Sequence, residues 1–342
     1  MRVAMYYANN DVRLQEMPVP DIAQDEILVR VIASGICGSD VMEWYRKDRV
    51  PLVLGHEIAG TVEKAGAEAG SFKAGDRVAV SHHVPCGECR YCRRGHETVC
   101  ETLRKTNFFP GGFSEFIRVP AVNIKRKGVY PIPDKVSFEE ATFVEPLACV
   151  IRGQRLAGVR KGDNILVIGS GISGLLHIKY ARASGAGFIA ATDISGYRIE
   201  TAKKFGADKV FDGRKYCPAE LKEASGSLAD VVIVCAGAGQ AVLQALDSVE
   251  RGGTVLFFAA AEKDLNMPRS INDVFWRNEI TLVSSYAATP EEHLKAMGLI
   301  ERGDVKVKEM VTHRFGLVKA QEGFGLVASA GDSIKVIIAP QE

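Results

Sequence analysis

Ile165-Leu166-Val167-Ile168-Gly169-Ser170-Gly171-Ile172-Ser173-Gly174 decides the fold of this 342-residue chain. Four apolar, mostly β-branched residues run into G-x-G-x-x-G, and an apolar segment of helical length follows. Gly169 permits the tight turn, Gly171 lets backbone approach a pyrophosphate, and Gly174 lets the helix pack closely on its strand. The N–H groups that open the helix, around Ile172 and Ser173, are then offered to the phosphates. The next strand, Phe188-Ile189-Ala190-Ala191-Thr192, ends at Asp193, nineteen residues after Gly174. A carboxylate there accepts both ribose hydroxyls and repels a 2′-phosphate, so NAD is expected over NADP, with Arg198 close enough to soften that preference. Glycines alone describe any loop; the strand before, the helix after and the acid on the next strand make the dinucleotide reading specific.

Outward from this motif, strands of the same texture recur at Lys209–Phe211, Val231–Val234, Thr254–Phe258 and Ile280–Val283, with helical segments between most of them. Six such strands predict a doubly wound parallel sheet over 151–287. Residues 1–150 read differently, as short strands broken by Gly and Pro, such as Ile27–Ala33 and Arg77–Val80, which predicts a β-barrel-like unit with long loops. After Pro290 come a helix (Glu291–Arg302) and strands at Val311–Phe315 and Ile334–Ile338. This tail, 288–342, is expected to return to the first domain and complete it.

Composition narrows the function. With 46% apolar and 25% charged residues the chain is ordinary globular protein. Its 43 basic and 42 acidic side chains leave a net charge of +1, which gives neither nucleic acid nor an anionic membrane a reason to bind. No apolar run approaches the roughly 20 residues that span a bilayer, and Met1–Tyr7 reads as a strand rather than a signal core. The cytoplasm is therefore the expected compartment.

Cys86-Gly87-Glu88-Cys89-Arg90-Tyr91-Cys92, followed by Cys100, gives C-x2-C-x2-C-x7-C. Such spacing suits metal ligation in a reducing compartment better than disulfides. Four thiolates close a tetrahedral zinc site and leave no position for water or substrate, so this zinc is expected to be structural. Cys217 and Cys235 lack a partner pattern and read as buried structural thiols.

A second metal set is dispersed: Cys37 in Gly35-Ile36-Cys37-Gly38-Ser39-Asp40, then Gly55-His56-Glu57, then Glu145 in Val144-Glu145-Pro146. Each residue alone has a plain explanation as core, satisfied polar group or surface. Their joint occurrence with a dinucleotide motif and a four-cysteine lobe changes the odds. The sequence resembles the zinc-containing medium-chain dehydrogenases, particularly the sorbitol and threonine dehydrogenase branches. The resemblance is carried by Gly55-His56-Glu57-Ile58-Ala59-Gly60 with Gly66, by Phe72-Lys73-Ala74-Gly75-Asp76-Arg77-Val78 and by Gly111-Gly112-Phe113-Ser114-Glu115, in the family's order along essentially the whole chain.

That resemblance implies a Rossmann domain joined to a GroES-like β-barrel catalytic domain, and two zinc ions per chain. It makes Cys37 and His56 ligands of a catalytic zinc. The carboxylate role is shared between Glu57, a ligand in the polyol branch, and Glu145, which stands where ethanol-type enzymes carry a second cysteine. Asp40 would orient the ligand histidine, and Ser39 would begin a proton relay from the bound alcohol. The activity implied is hydride transfer from a secondary alcohol to NAD, with a polyol, sugar or cyclitol favoured. A threonine-like amino alcohol is the alternative, and a zinc-independent reductase or binding protein on the same fold ranks below both. The loop Val41-Met42-Glu43-Trp44-Tyr45-Arg46-Lys47 mixes apolar and charged groups, which suits a hydroxylated substrate. His82 and His83 read as structural histidines on a strand leading into the zinc lobe. Pairing of late sheet strands between subunits is the family's habit, so a homodimer or homotetramer is expected.

Overall fold

The computed structural model describes residues 1–261, 266–267 and 269–342. They form two compact units, Met1–Ala148 with Ala288–Glu342, and Cys149–Ala287.

The second unit is built on a six-stranded parallel sheet in the order Lys209–Asp212, Phe188–Asp193, Asn164–Ile168, Ala229–Val234, Val249–Phe257, Thr281–Ser284. The strand that feeds the glycine turn is central, and the chain winds outward from it in both directions. Ile165, Leu166, Val167 and Ile168 are all buried irrespective of parity. A parallel sheet covered by helices on both faces requires such an unbroken apolar run. Order reverses beside this strand, and the crevice at its carboxyl end is where such sheets receive ligands. The strand expected at Thr254 starts earlier, at Val249.

The first unit carries a larger, mainly antiparallel sheet in the order Val311–Gly316, Lys335–Ala339, Ile27–Gly35, Glu57–Ala65, Arg77–Val80, Val129–Pro131, with Phe116–Val119 also paired to Ile27–Gly35. A smaller sheet joins Asp11–Glu16, Arg2–Ala8 and Leu52–Val53. The carboxyl-terminal strands enter the larger sheet through Ile337↔Gly35 and Ile338↔Ser34. Ile27, Val29, Val31, Ile58, Val62, Val78, Val80, Phe108 and Ile117 form a core here, each aliphatic side chain contributing about 1.5–3 kcal/mol by leaving water.

Two helices matter for the site. The run Leu147–Leu156 has the composition of a helix, and the helix starts three residues earlier, at Val144. Pro146 therefore sits in the first turn, where its missing N–H breaks no intrahelical bond. Pro290–Arg302 is opened by Thr289, whose backbone N–H donates to the Glu292 carboxylate at 2.7 Å, and is ended by Gly303 at φ +76°. No helix among the described residues is long and apolar enough to cross a membrane.

Candidate metal centres and dinucleotide loop

Strand pairing assembles the dispersed residues. Gly35 pairs with Glu57 across two antiparallel strands, which sets Cys37, two residues past the end of one strand, beside His56 and Glu57 at the start of the other. One potential ligand atom from each of Cys37, His56 and Glu57 lies within 4.8 Å of the other two. A thiolate, an imidazole and a carboxylate are the donor set of zinc sites that keep an open position. Asp40 stands behind the imidazole: its Oδ1 lies 3.3 Å from His56 Nδ1, and its Oδ2 accepts the Cys37 N–H at 3.0 Å. Contact through Nδ1 leaves Nε2 as the nitrogen for a metal. Burial alone would lower the His56 pKa, but the facing Asp40 and Cys37 charges raise it well above the ordinary value. Burial likewise opposes ionisation of Asp40, yet the His56 charge keeps its carboxyl below the usual range.

Glu57 is held from the other side. Its Oε2 accepts from Lys335 Nζ, and both side chains are sealed from solvent. Gly35 makes that approach possible, because a Cβ there would stand 2.3 Å from Glu57 Oε2 and 2.5 Å from Lys335 Cε. The ammonium also lies 5.4 Å from the centre of the Phe143 ring. Arg46 closes the loop around the thiolate, donating to the Ser39 carbonyl at 3.2 and 3.1 Å with its guanidinium 3.8 Å from Asp40. Ser39 is half-buried, and its N–H lies 3.5 Å from Cys37 Sγ.

Glu145 falls outside this three-residue cluster. It sits in the first turn of Val144–Leu156 and lines a small cavity shared with Ile58, Tyr130 and His293. His82 and His83 follow the strand Arg77–Val80 rather than lying on it. Burial depresses both pKa values, that of His83 to about 3. His82 packs 5.1 Å from His56, ring centre to ring centre, which suits neutral packing partners of the site.

The four-cysteine lobe closes as its spacing demands. Cys86, Cys89, Cys92 and Cys100 bring their sulfurs within 4.8 Å of one another, with separations of 4.0 Å for Cys86–Cys92 and 3.6 Å for Cys89–Cys92. A tetrahedron of sulfurs about 2.3 Å from zinc has edges of about 3.8 Å, so the residues fit that ion. The N–H groups of Cys86 and Cys89 point at the sulfurs of Cys100 and Cys86 at 3.4 and 3.3 Å. Backbone N–H donors from Glu88 and Cys89 lower the Cys86 pKa. Of the unpatterned thiols, Cys235 is half-buried rather than buried, and desolvation pushes its pKa up. Cys217 is exposed, contrary to the reading from sequence, because it precedes a helix that starts at Pro218 on the surface.

In the second unit, Gly169 adopts φ +93°, and a Cβ on Gly174 would stand 1.9 Å from the Gly169 carbonyl. Gly171 opens on free space: only Arg198, at 3.9 Å, comes within 4 Å of where its Cβ would be. Asp193 Oδ2 accepts the Ser170 N–H at 2.7 Å and Oδ1 the Ser195 N–H at 2.9 Å. Each carboxylate oxygen keeps a lone pair for a ribose hydroxyl. The buried Arg198 Nε has no hydrogen-bond partner. An exposed backbone cradle, a fixed acid and a spare guanidinium fit a dinucleotide.

Comparison with known proteins agrees with both halves. Residues 23–134 match the alcohol dehydrogenase GroES-like domain, and 173–302 the zinc-binding dehydrogenase family. The sorbitol dehydrogenase of Bacillus subtilis is 32% identical over 357 residues, covering 99% of this chain and 97% of its own. The chain belongs to the zinc-containing medium-chain alcohol dehydrogenase family. An L-threonine 3-dehydrogenase of Rhizobium johnstonii, another member, is also 32% identical, over 95% of this chain and 94% of its own. Among solved structures, a zinc-binding dehydrogenase from Sinorhizobium meliloti bound to NADP superimposes with a TM-score of 0.87 at 26% identity, covering 99% of both chains. The fold of this family member is thus a GroES-like domain with a Rossmann sheet. Sequence reasoning passed over Lys335, although a single lysine inside the apolar run Ile334–Ile338 was a signal. It also passed over Arg46, which nothing in the loop composition separated from its neighbours.

Proposed function

We propose that this dehydrogenase moves a hydride between a secondary alcohol, with polyols, sugars and cyclitols favoured, and NAD. The observation that carries the reading is the convergence of Cys37, His56 and Glu57 within 4.8 Å, with Asp40 braced against the imidazole. A zinc ion bound there would act as a Lewis acid and make the alcohol proton labile near neutral pH. The protein's own groups do the rest. Asp40 fixes the imidazole tautomer, Lys335 holds one oxygen of Glu57, and the Ser39 hydroxyl takes the alcohol proton toward solvent. Glu145 supplies a second carboxylate beside the centre. Cys86, Cys89, Cys92 and Cys100 would hold a second, structural zinc.

The glycine turn would receive the pyrophosphate, with the N–H groups of Ile172 and Ser173 and the Arg198 guanidinium around it. Asp193 favours NAD, whose ribose hydroxyls it can accept; the NADP-bound Sinorhizobium neighbour keeps NADP as the second choice. The similarity to the sorbitol dehydrogenases favours a polyol, and that to the Rhizobium enzyme makes threonine the alternative substrate. A zinc-independent reductase would need neither thiolate site. Thiolate ligands favour a reducing compartment, the cytoplasm. Thr281–Ser284 is the sheet's edge strand, and Ile271, Trp276 and Tyr286 near it in sequence are exposed. A homodimer or homotetramer through this edge is the assembly we favour, and a monomer mass by light scattering would exclude it.

The function is tested by NAD and NADP reduction over polyols, sugars, cyclitols, threonine and simple secondary alcohols, with and without chelator. Chelator-sensitive reduction of NAD by one polyol group is expected. Turnover that survives loss of the metal would overturn the mechanism, and turnover confined to threonine would overturn the substrate class.

A further inference from the structure

Tyr130 and His293 are two buried polar side chains that the chemistry above does not use. Tyr130 lies on the strand Val129–Pro131 and is 1% exposed; His293 lies on the first turn of Pro290–Arg302 and is 2% exposed. Their rings stack, 5.1 Å between centres and 6° from parallel. Stacking settles the ring faces and leaves the polar tips unserved. Neither Tyr130 Oη nor His293 Nε2 has a hydrogen-bond partner, and an unmet buried polar atom costs about 1–3 kcal/mol.

The two tips are complementary in character. His293 Nδ1 lies 2.8 Å from the Thr289 carbonyl, which can only accept, so the ring proton is on Nδ1 and Nε2 presents a lone pair. Burial holds the imidazole neutral, with its pKa near 4. Tyr130 brings a hydroxyl proton, and burial keeps that proton in place by raising its pKa. Both residues line one cavity, together with Thr142, Val144 and Glu145. Its volume open to the centre of a water molecule is about 10 Å³, the room that one water needs. A water there would accept from Tyr130 Oη and donate to His293 Nε2, with a second proton to donate toward the carboxylate in the cavity wall.

We infer that Tyr130 and His293 hold one internal water that hydrogen-bonds to Glu145 and fixes its carboxylate beside the Cys37–His56–Glu57 centre. Tyr130 and His293 are positioning residues in this arrangement, and the water is their ligand. The link to the metal centre rests on the function proposed above; the water itself does not.

Two measurements test it. A high-resolution crystal structure of the full chain should show one ordered water within hydrogen-bond distance of Tyr130 Oη, His293 Nε2 and a Glu145 oxygen. A dry cavity, or a water that leaves Glu145 untouched, overturns the inference whatever the metal content. In the cobalt-substituted protein, Tyr130→Phe, which keeps the ring and removes only the hydroxyl, should shift the d–d absorption of the Cys37 site. It should also lower kcat about tenfold with KM for the alcohol unchanged, the low end of the loss seen when a group supporting a metal site is removed. A Tyr130→Phe protein with a lower melting temperature but an unmoved cobalt spectrum and kcat would show a purely structural water and refute the positioning role. Failure of the unaltered protein to bind cobalt at Cys37 and His56 would refute the metal reading instead, and would remove the centre that the positioning role serves.

Discussion

Replacing Lys335 by methionine should unfold the metal-free first unit far more easily than any surface change. Lys335 and Glu57 are both sealed from water, 0% and 1% exposed. Lys335 is the cation paired with Glu57. Methionine keeps the length and apolar stem that pass Gly35 and Phe143 but leaves the carboxylate buried without its partner. Breaking a buried pair from one side costs about 3–5 kcal/mol, whereas an exposed pair is worth about 0–1 kcal/mol. Removing both charges, in Glu57→Gln with Lys335→Met, should restore most of the loss, because the desolvation cost disappears along with the attraction. The assay is urea unfolding followed by Trp44 fluorescence in a Trp276→Phe background, so that the signal comes from the first unit. It is run in chelator and again with zinc. Zinc should reduce the effect of Lys335→Met by giving the carboxylate a second cation. A loss below about 1 kcal/mol for the single variant in chelator, the size of an exposed pair, would refute the buried-pair reasoning.

Asp193→Ser should raise the KM for NAD about 10–100-fold, the value of one or two hydrogen bonds to a charged acceptor, while NADP is affected less; equal losses for both cofactors in steady-state kinetics would contradict the ribose role. Cys92→Ser should reduce zinc from two to one per chain by metal analysis and expose the segment around Cys86–Cys100 to protease, with the Cys37 site still loaded. His177 is buried against Phe258, and burial depresses its pKa to about 3. Because the unfolded chain takes up a proton near pH 6.5 that the folded chain refuses, His177 removes stability as pH falls below that value, by about 1.4 kcal/mol per pH unit until the folded pKa is reached. His177→Gln should therefore flatten the loss of stability between pH 6.5 and 4 in urea titrations, and an unchanged slope would show that the imidazole is not buried neutral.

The Rossmann half was legible because its signals are local. A strand buried on both faces is a continuous apolar run, and the glycine turn must follow it directly, so Ile165–Gly174 showed strand, turn and helix at once. The four-cysteine lobe was equally open, since fifteen residues of loop hold the whole site. The catalytic set was harder to read. Cys37, His56 and Glu57 meet through the pairing of Gly35 with Glu57, which no local pattern announces, and only the family resemblance joined them in advance. Lys335 stayed hidden because its partner lies 278 positions away. Glu145, expected from the resemblance to share the carboxylate role, stands outside the three-residue cluster, and its place in the first turn of helix Val144–Leu156 depends on where that helix begins. Tyr130 and His293 carry no sequence signal at all: a tyrosine in a strand and a histidine in a helix acquire meaning only when their rings stack, both residues line one cavity and each keeps a polar atom without a hydrogen-bond partner.

The central claim is that zinc bound by Cys37 and His56 is required for oxidation of a secondary alcohol. The most direct measurement follows zinc content and NAD reduction together as chelator removes the metal, with Cys37→Ser as the parallel variant. Two zinc ions per chain at the start, activity lost in step with one of them, and no turnover from Cys37→Ser with its four-cysteine zinc intact are the predicted results. Turnover that continues after demonstrated loss of the Cys37–His56 zinc would contradict the account.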